Sequence, residues 1–231
     1  MTGQNKDDIK KRPIRSYILR QGRISPSQTR AIQENFHKYA IPFENRPKDL
    51  RNIFENKKGD LILEIGFGMG TSTAEIAKSN LDKNYIAIEV YSPGVGNLIK
   101  LIHESNISNL KIIQHDAVEV LNSMVKNHSL SGMHIFFPDP WPKKRHHKRR
   151  LIQSTLLELI AKKIKKSGYL HIATDWEEYA LWIIDLLCKE ELLQKSSDDF
   201  LKKTECRPFT KYENRGIKLG YKVWNIIYSR I

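Results

Sequence analysis

The sequence is poor in several features that would each have set its class. Among 231 residues there are two cysteines, Cys188 and Cys206, with no CxxC spacing and no histidine cluster at metal-ligand intervals beside them. They build neither a disulfide framework nor a zinc site, and read as two reduced thiols in a reducing compartment. No apolar run approaches the roughly 20 residues of a membrane span. The opening stretch, MTGQNKDDIKKRP, carries cations without an apolar stretch behind them, so no secretory signal is expected and the cytoplasm is the expected location. No internal repeat or low-complexity block is present. Acidic residues are scarce: 26 Asp and Glu stand against 39 Lys and Arg, a net charge of +13. That excess points to a polyanionic partner, nucleic acid first and an anionic membrane surface second. The length suits one α/β domain with a modest extension.

Residues 1–55 show no clear period. Basic residues such as Lys10, Lys11, Arg12, Arg15 and Arg20 alternate with prolines at 13, 26, 42 and 47. This predicts a basic, partly flexible N-terminal extension with one short helix around Ser27–His37. From residue 56 to 231 the pattern becomes strand–helix alternation. LILEI, NYIAIEV, LKIIQH, MHIFF and YLHIAT are the predicted strands. Helices are expected over 71–79, after Pro93, over Val118–Val125, over about Arg150–Lys165 and over 176–191. Near-continuous apolar strands separated by helices predict a parallel sheet covered on both faces. The tail breaks the alternation: FLKKTECRPF and YKVWNIIYSR are strand-like with no helix between them, and can pair antiparallel at the end of the sheet. Trp182 and Trp224 fall in apolar-patterned elements and are expected in the core.

The most informative stretch is Glu64-Ile-Gly66-Phe-Gly68-Met-Gly70 at the end of the first strand. Glycines there let backbone approach a ligand outside the strand ends. The spacing is GxGxG, unlike the GxGxxG of dinucleotide binders. S-adenosylmethionine carries an ammonium and a sulfonium and no phosphate, so an acid beside the glycines fits it better than a pyrophosphate. Glu89, 19 residues after Gly70, ends the second strand, where a carboxylate can hold ribose hydroxyls. Asp116 ends the third, either accepting from an adenine amino group or capping the next helix, or both.

The fourth strand runs into Phe136-Phe137-Pro138-Asp139-Pro140-Trp141-Pro142. Prolines flanking Asp139 stiffen the loop and block a helix. Trp141 either stacks on a purine or is a core residue beneath a rigid turn. Lys143-Lys144-Arg145-His146-His147-Lys148-Arg149-Arg150 follows, with six fixed cations in eight residues, and reads as a phosphate-binding run. Adjacent histidines without a third ligand do not make a metal site. Asp175, after the fifth strand, either caps the following helix or meets substrate.

These blocks resemble the bacterial tRNA (guanine-N(7)-)-methyltransferases. The match takes in RSYILRQGRIS, LEIGFGMG, IEVYSPGVG, HDAVEVL, FFPDPWPKKRHHKRR, ATDWEEYA and RPFTKYENRG, in order along nearly the whole chain. The resemblance implies a class I methyltransferase fold, Rossmann-like and doubly wound, with a mostly parallel seven-stranded sheet and a C-terminal antiparallel strand. It implies S-adenosylmethionine held by Glu64, Gly66, Gly68, Gly70, Glu89, Asp116 and Asp139, with Asp139 as the catalytic carboxylate. It places substrate on Lys143, Asp175, Thr210, Lys211, Tyr212 and Glu213, and RNA on Arg145, His146, His147, Lys148, Arg149 and Arg150. The implied activity is methylation of a guanosine N7 in the tRNA variable loop by a monomer or homodimer, without metal or membrane. Pro142 departs from the family, which more often has His there. The competing readings are a methyltransferase for another RNA, a small molecule or a protein, which in the last two cases leaves the basic segments idle; an RNA-binding module with a dead cofactor site; and an NAD-dependent oxidoreductase, disfavoured by the glycine spacing.

Overall fold

The apolar runs pair into one sheet in the computed structural model, which describes residues 15–17, 22–196 and 222–231. Strands β1 (Leu61–Ile65), β2 (Asn84–Ile88), β3 (Leu110–Ile113), β4 (Leu130–Phe136) and β5 (Ile164–Thr174) run parallel. Strand β7 (Trp224–Arg230) lies antiparallel between β5 and the short β6 (Leu193–Lys195), giving the order β3-β2-β1-β4-β5-β7-β6.

Helices α2 (Thr71–Ser79), α3 (Ser92–Glu104), α4 (Ala117–Ser123), α5 (Ser154–Lys163) and α6 (Glu177–Leu187) connect the strands. Because successive strand residues point to opposite faces, β1 feeds two cores. Leu63 and Ile65 join the cluster under α4, α5 and α6, while Ile62 joins the one under α2 and α3. Trp182 and Trp224 are partly buried against the first of these cores.

Helix α1 (Pro26–Tyr39) begins as its sequence dictates. Ser25 accepts from the Gln28 N–H, the Gln28 side chain accepts from the Ser25 N–H, and Pro26 occupies the first turn, where its missing N–H costs nothing. The helix docks on α3 so closely that a Cβ on Gly96 would lie 2.9 Å from the Gln28 carbonyl oxygen.

Three elements differ from expectation. The helix expected from about Arg150 is divided: Lys144–Arg149 forms a 3-10 turn, Arg150 and Gln153 are extended, and α5 starts at Ser154. β5 begins at Ile164, ahead of Gly168. Its register against β4 slips between Leu130 and Gly132, and Ser167 takes a φ of 63°. A Cβ on Gly168 would lie 2.9 Å from the Ser131 carbonyl oxygen, so this glycine permits a close strand approach. α6 ends at Leu187, short of 191. Residues 200–209, the expected penultimate strand, lie outside the described residues; β6 is the strand outside β7.

Candidate active site

Strand order reverses between β1 and β4, and crevices above the carboxyl ends of strands form at such a switch point. A cleft of about 210 Å³ opens there, lined by residues that end β1, β2, β3 and β4. Gly66, Glu89, Asp116 and Asp139 all face it. Glu64 does not; it is buried within β1, 5% exposed, between Ala87 and His134 of the neighbouring strands.

The glycine loop adopts φ values of 76°, 57° and 73° at Gly66, Gly68 and Gly70, a conformation that side chains with a Cβ resist. Among the described residues nothing lies within 4 Å of a Cβ built at Gly66 or Gly68, which leaves open space above the loop. Glu89 ties this loop to the end of β2. Its carboxylate accepts from the Gly68 N–H at 2.9 Å, from Val90 at 2.7 Å and from Tyr91 at 3.1 Å. Burial nevertheless raises its pKa; the three N–H donors oppose that shift, and Asp139 across the cleft adds to it.

Asp116 stands at the N-terminus of α4. Its carboxylate caps α4, accepting from the Val118 and Glu119 N–H groups at 2.8 and 3.3 Å, and it lines the cleft. Asp139 stands exposed at the cleft mouth, and the protein around it raises its pKa by desolvation. Its loop is unusual on both sides: Phe137 and Trp141 have φ of 51° and 44°. Trp141 is half-buried. Its Nε1–H donates to the Ser16 carbonyl at 3.2 Å, and the Arg149 guanidinium sits 5.1 Å from its ring centre. It is thus neither a bare stacking platform nor a core residue.

Among the basic residues, Lys143, Lys144, Arg145 and Lys148 are exposed. His146 is held below its ordinary pKa by desolvation and by the surrounding Arg and Lys charges. Arg150 differs from the rest. Its side chain has no exposed surface and turns inward, because Glu178, Tyr179 and Trp182 of α6 receive it. Asp175 is exposed and does not cap α6, whose N-cap is Trp176 without a side-chain bond. Thr210, Lys211, Tyr212 and Glu213 lie outside the described residues. Among the described residues no group of three or more His, Cys, Asp or Glu is placed to hold a metal, and no helix is long and apolar enough to cross a membrane.

Some contributors were not anticipated. Ser16 and Tyr17 of the N-terminal extension line the cleft, where burial raises the Tyr17 pKa and the Asp116 carboxylate adds to the shift. Gly94, at the start of α3, touches the glycine loop: a Cβ there would fall 1.9 Å from the Gly68 carbonyl oxygen. The glycines of SPGVG were the available signal for it. For Tyr17 the sequence held no signal apart from the family resemblance.

A doubly wound sheet of this order, with one antiparallel strand beside β5 and strand-end acids around a glycine loop, is the architecture of a class I methyltransferase. Residues 58–226 match the family described as "Putative methyltransferase". The chain is 51% identical over 233 residues to the tRNA (guanine-N(7)-)-methyltransferase of Methylobacillus flagellatus, covering 100% of this chain and 98% of that protein. It is 52% identical to the enzyme of the same name from Chromobacterium violaceum, covering 95% and 97%. The chain belongs to the tRNA (guanine-N(7)-)-methyltransferase family. Solved structures of the 16S rRNA methyltransferase KamB (TM-score 0.51, 12% identity, 78% of this chain and 90% of that one) and of the aminoglycoside resistance methyltransferase NpmB1 (0.50, 14%, 78% and 93%) share the fold.

Proposed function

We propose that this chain methylates N7 of a guanosine in tRNA, in the variable loop, with S-adenosylmethionine as methyl donor. The observation that carries the donor is electrostatic. In a chain of net charge +13, the described residues that line the cleft include three carboxylates, Glu89, Asp116 and Asp139, and no lysine or arginine. Such a lining repels phosphate and attracts a cation. The open space above Gly66 and Gly68 gives the ligand room against the backbone. When bound, S-adenosylmethionine supplies a methyl group activated on a sulfonium.

The residues of the chain then have little proton chemistry to perform. Guanine N7 has a lone pair and no proton to lose, so alignment of the purine supplies much of the rate. The purine becomes cationic as the bond forms. A carboxylate whose loop is stiffened by two prolines is placed to stabilise that charge without reorganising, and Asp139 is that group. Its raised pKa reflects incomplete solvation, which strengthens its effect on a nearby cation. Lys143, Asp175 and Thr210–Glu213 are proposed to orient the base, and Arg145–Arg149 to hold RNA phosphates. A cytoplasmic setting follows from the tRNA substrate.

The test incubates purified protein with labelled S-adenosylmethionine and tRNA lacking 7-methylguanosine, followed by nucleoside mass spectrometry and mapping of the modified position. Appearance of 7-methylguanosine in the variable loop is expected. No methyl transfer, despite measured binding of both ligands, would sink the assignment.

A further inference from the structure

Arg150 is the largest fully buried side chain of the described residues, yet it closes a run of cations. Burying a guanidinium is costly unless its charge and donors are met. Here most of them are. Nη2 donates to Glu178 Oε1 at 2.9 Å and to His147 Nε2 at 3.0 Å, and Nε donates to the Pro140 carbonyl at 2.9 Å. The guanidinium carbon lies 5.0 Å from the ring centre of Tyr179 and 5.1 Å from that of Trp182. Those rings are themselves fixed to the chain beyond Arg150: the Ile152 N–H donates to the Tyr179 hydroxyl at 3.1 Å, and Trp182 Nε1–H donates to the Ile152 carbonyl at 3.2 Å. Gln153 donates to the carbonyls of His147 and Arg150 and closes the turn.

The one bond that leaves this clamp is the Nε–H to Pro140, the residue next to Asp139. Phe137 and Trp141 hold positive φ on either side of that segment, a conformation that persists only when its surroundings impose it. We propose that Arg150 is a positioning residue: through Pro140 it fixes the Phe137–Trp141 loop and so the Asp139 carboxylate, and it is not a phosphate ligand. The proposal rests on the reading of Asp139 as the catalytic carboxylate. Only arginine meets the geometry, since it alone combines a planar face for two rings with donors diverging toward Pro140 and Glu178. Lysine keeps the charge that a phosphate would require and loses the fork.

The test compares Arg150→Lys and Glu178→Gln with Lys148→Ala at an exposed cation of the same run, measuring kcat at saturating tRNA, tRNA Kd, and amide hydrogen exchange over 137–142. Arg150→Lys is expected to lower kcat at least about tenfold and to speed exchange across the loop, with tRNA Kd within about twofold. Lys148→Ala is expected to weaken tRNA binding without altering exchange in 137–142. Should Arg150→Lys not fold, Glu178→Gln changes a half-exposed side chain, and the same shifts at about threefold are expected. Unchanged exchange and kcat in Arg150→Lys would overturn the proposal, as would a tenfold weaker tRNA Kd with normal kcat. If the parent protein itself transfers no methyl group, the functional assignment fails, while the exchange data still decide whether Arg150 holds the loop.

Discussion

The carboxylates of the cleft carry opposing demands on stability and function. Burial raises the pKa of Glu89 and Asp139 above their ordinary 4.5 and 3.8. A raised value means that the folded chain holds the proton more tightly than the unfolded one, so stability falls as pH rises through that window. Ionised Asp139 therefore opposes folding at neutral pH. Asp139→Asn is expected to melt no lower than the parent at pH 7 while losing at least about tenfold in turnover, roughly 1.4 kcal/mol. A lower melting temperature with normal turnover would reverse its role. The acid limb of kcat/KM is expected above the range of unperturbed carboxylates, which a pH–rate profile reads directly. At Gly94 the constraint is steric. A methyl group 1.9 Å from the Gly68 carbonyl oxygen forces the glycine loop or α3 to move. Gly94→Ala should weaken cofactor binding at least about tenfold by calorimetry and leave tRNA binding nearly intact; normal cofactor affinity would show that the clash is readily relieved.

Among the elements, the strands and most helices were legible because their patterns are local: apolar runs of strand length and punctuation by glycine and proline. The run from Lys143 to Arg150 was legible in charge and illegible in shape. Its division into a 3-10 turn and an extended link depends on α6, some 28 residues on, which draws Arg150 inward through Glu178. Likewise, helical spacing alone could not assign Gly168 to a strand, since the reason is its approach to Ser131 on the neighbouring strand. Of the site, Gly66, Glu89, Asp116 and Asp139 are brought to one cleft, whereas Glu64 is internal to β1. The turn itself makes a testable device. Lys148→Ala with Arg149→Ala is expected to weaken tRNA binding and to make its salt dependence shallower, by roughly 0.7–0.9 in log–log slope for each phosphate that is no longer neutralised. An unchanged slope in a filter-binding titration would remove these residues from the RNA path.

At the scale of the whole molecule, charge is partitioned rather than merely positive. Among the described residues the cleft lining contains acids and no Lys or Arg, while exposed cations such as Lys143, Lys144, Arg145 and Lys148 follow the loop at its rim. On the proposed function, the polyanion and the cationic donor are addressed to different surfaces. Raising salt should cut tRNA affinity steeply and change S-adenosylmethionine affinity far less. Heparin should accordingly compete with tRNA and leave donor binding unchanged; equal loss of both would show that the two surfaces are not separate.

The inward turn of Arg150 also sets how the folded chain meets a protease. Trypsin requires a basic side chain that can enter its specificity pocket on locally extended backbone. By sequence, residues 143–150 offer a dense ladder of such sites. In the folded protein, exposed Lys143 presents its own on extended backbone ahead of the 3-10 turn, whereas the side chain of Arg150 is clasped between Tyr179 and Trp182. Brief digestion under native conditions should nick the ladder on its N-terminal side and spare its last rung. Appearance of the cut after Arg150 would then time the release of α6 from the Asp139 loop.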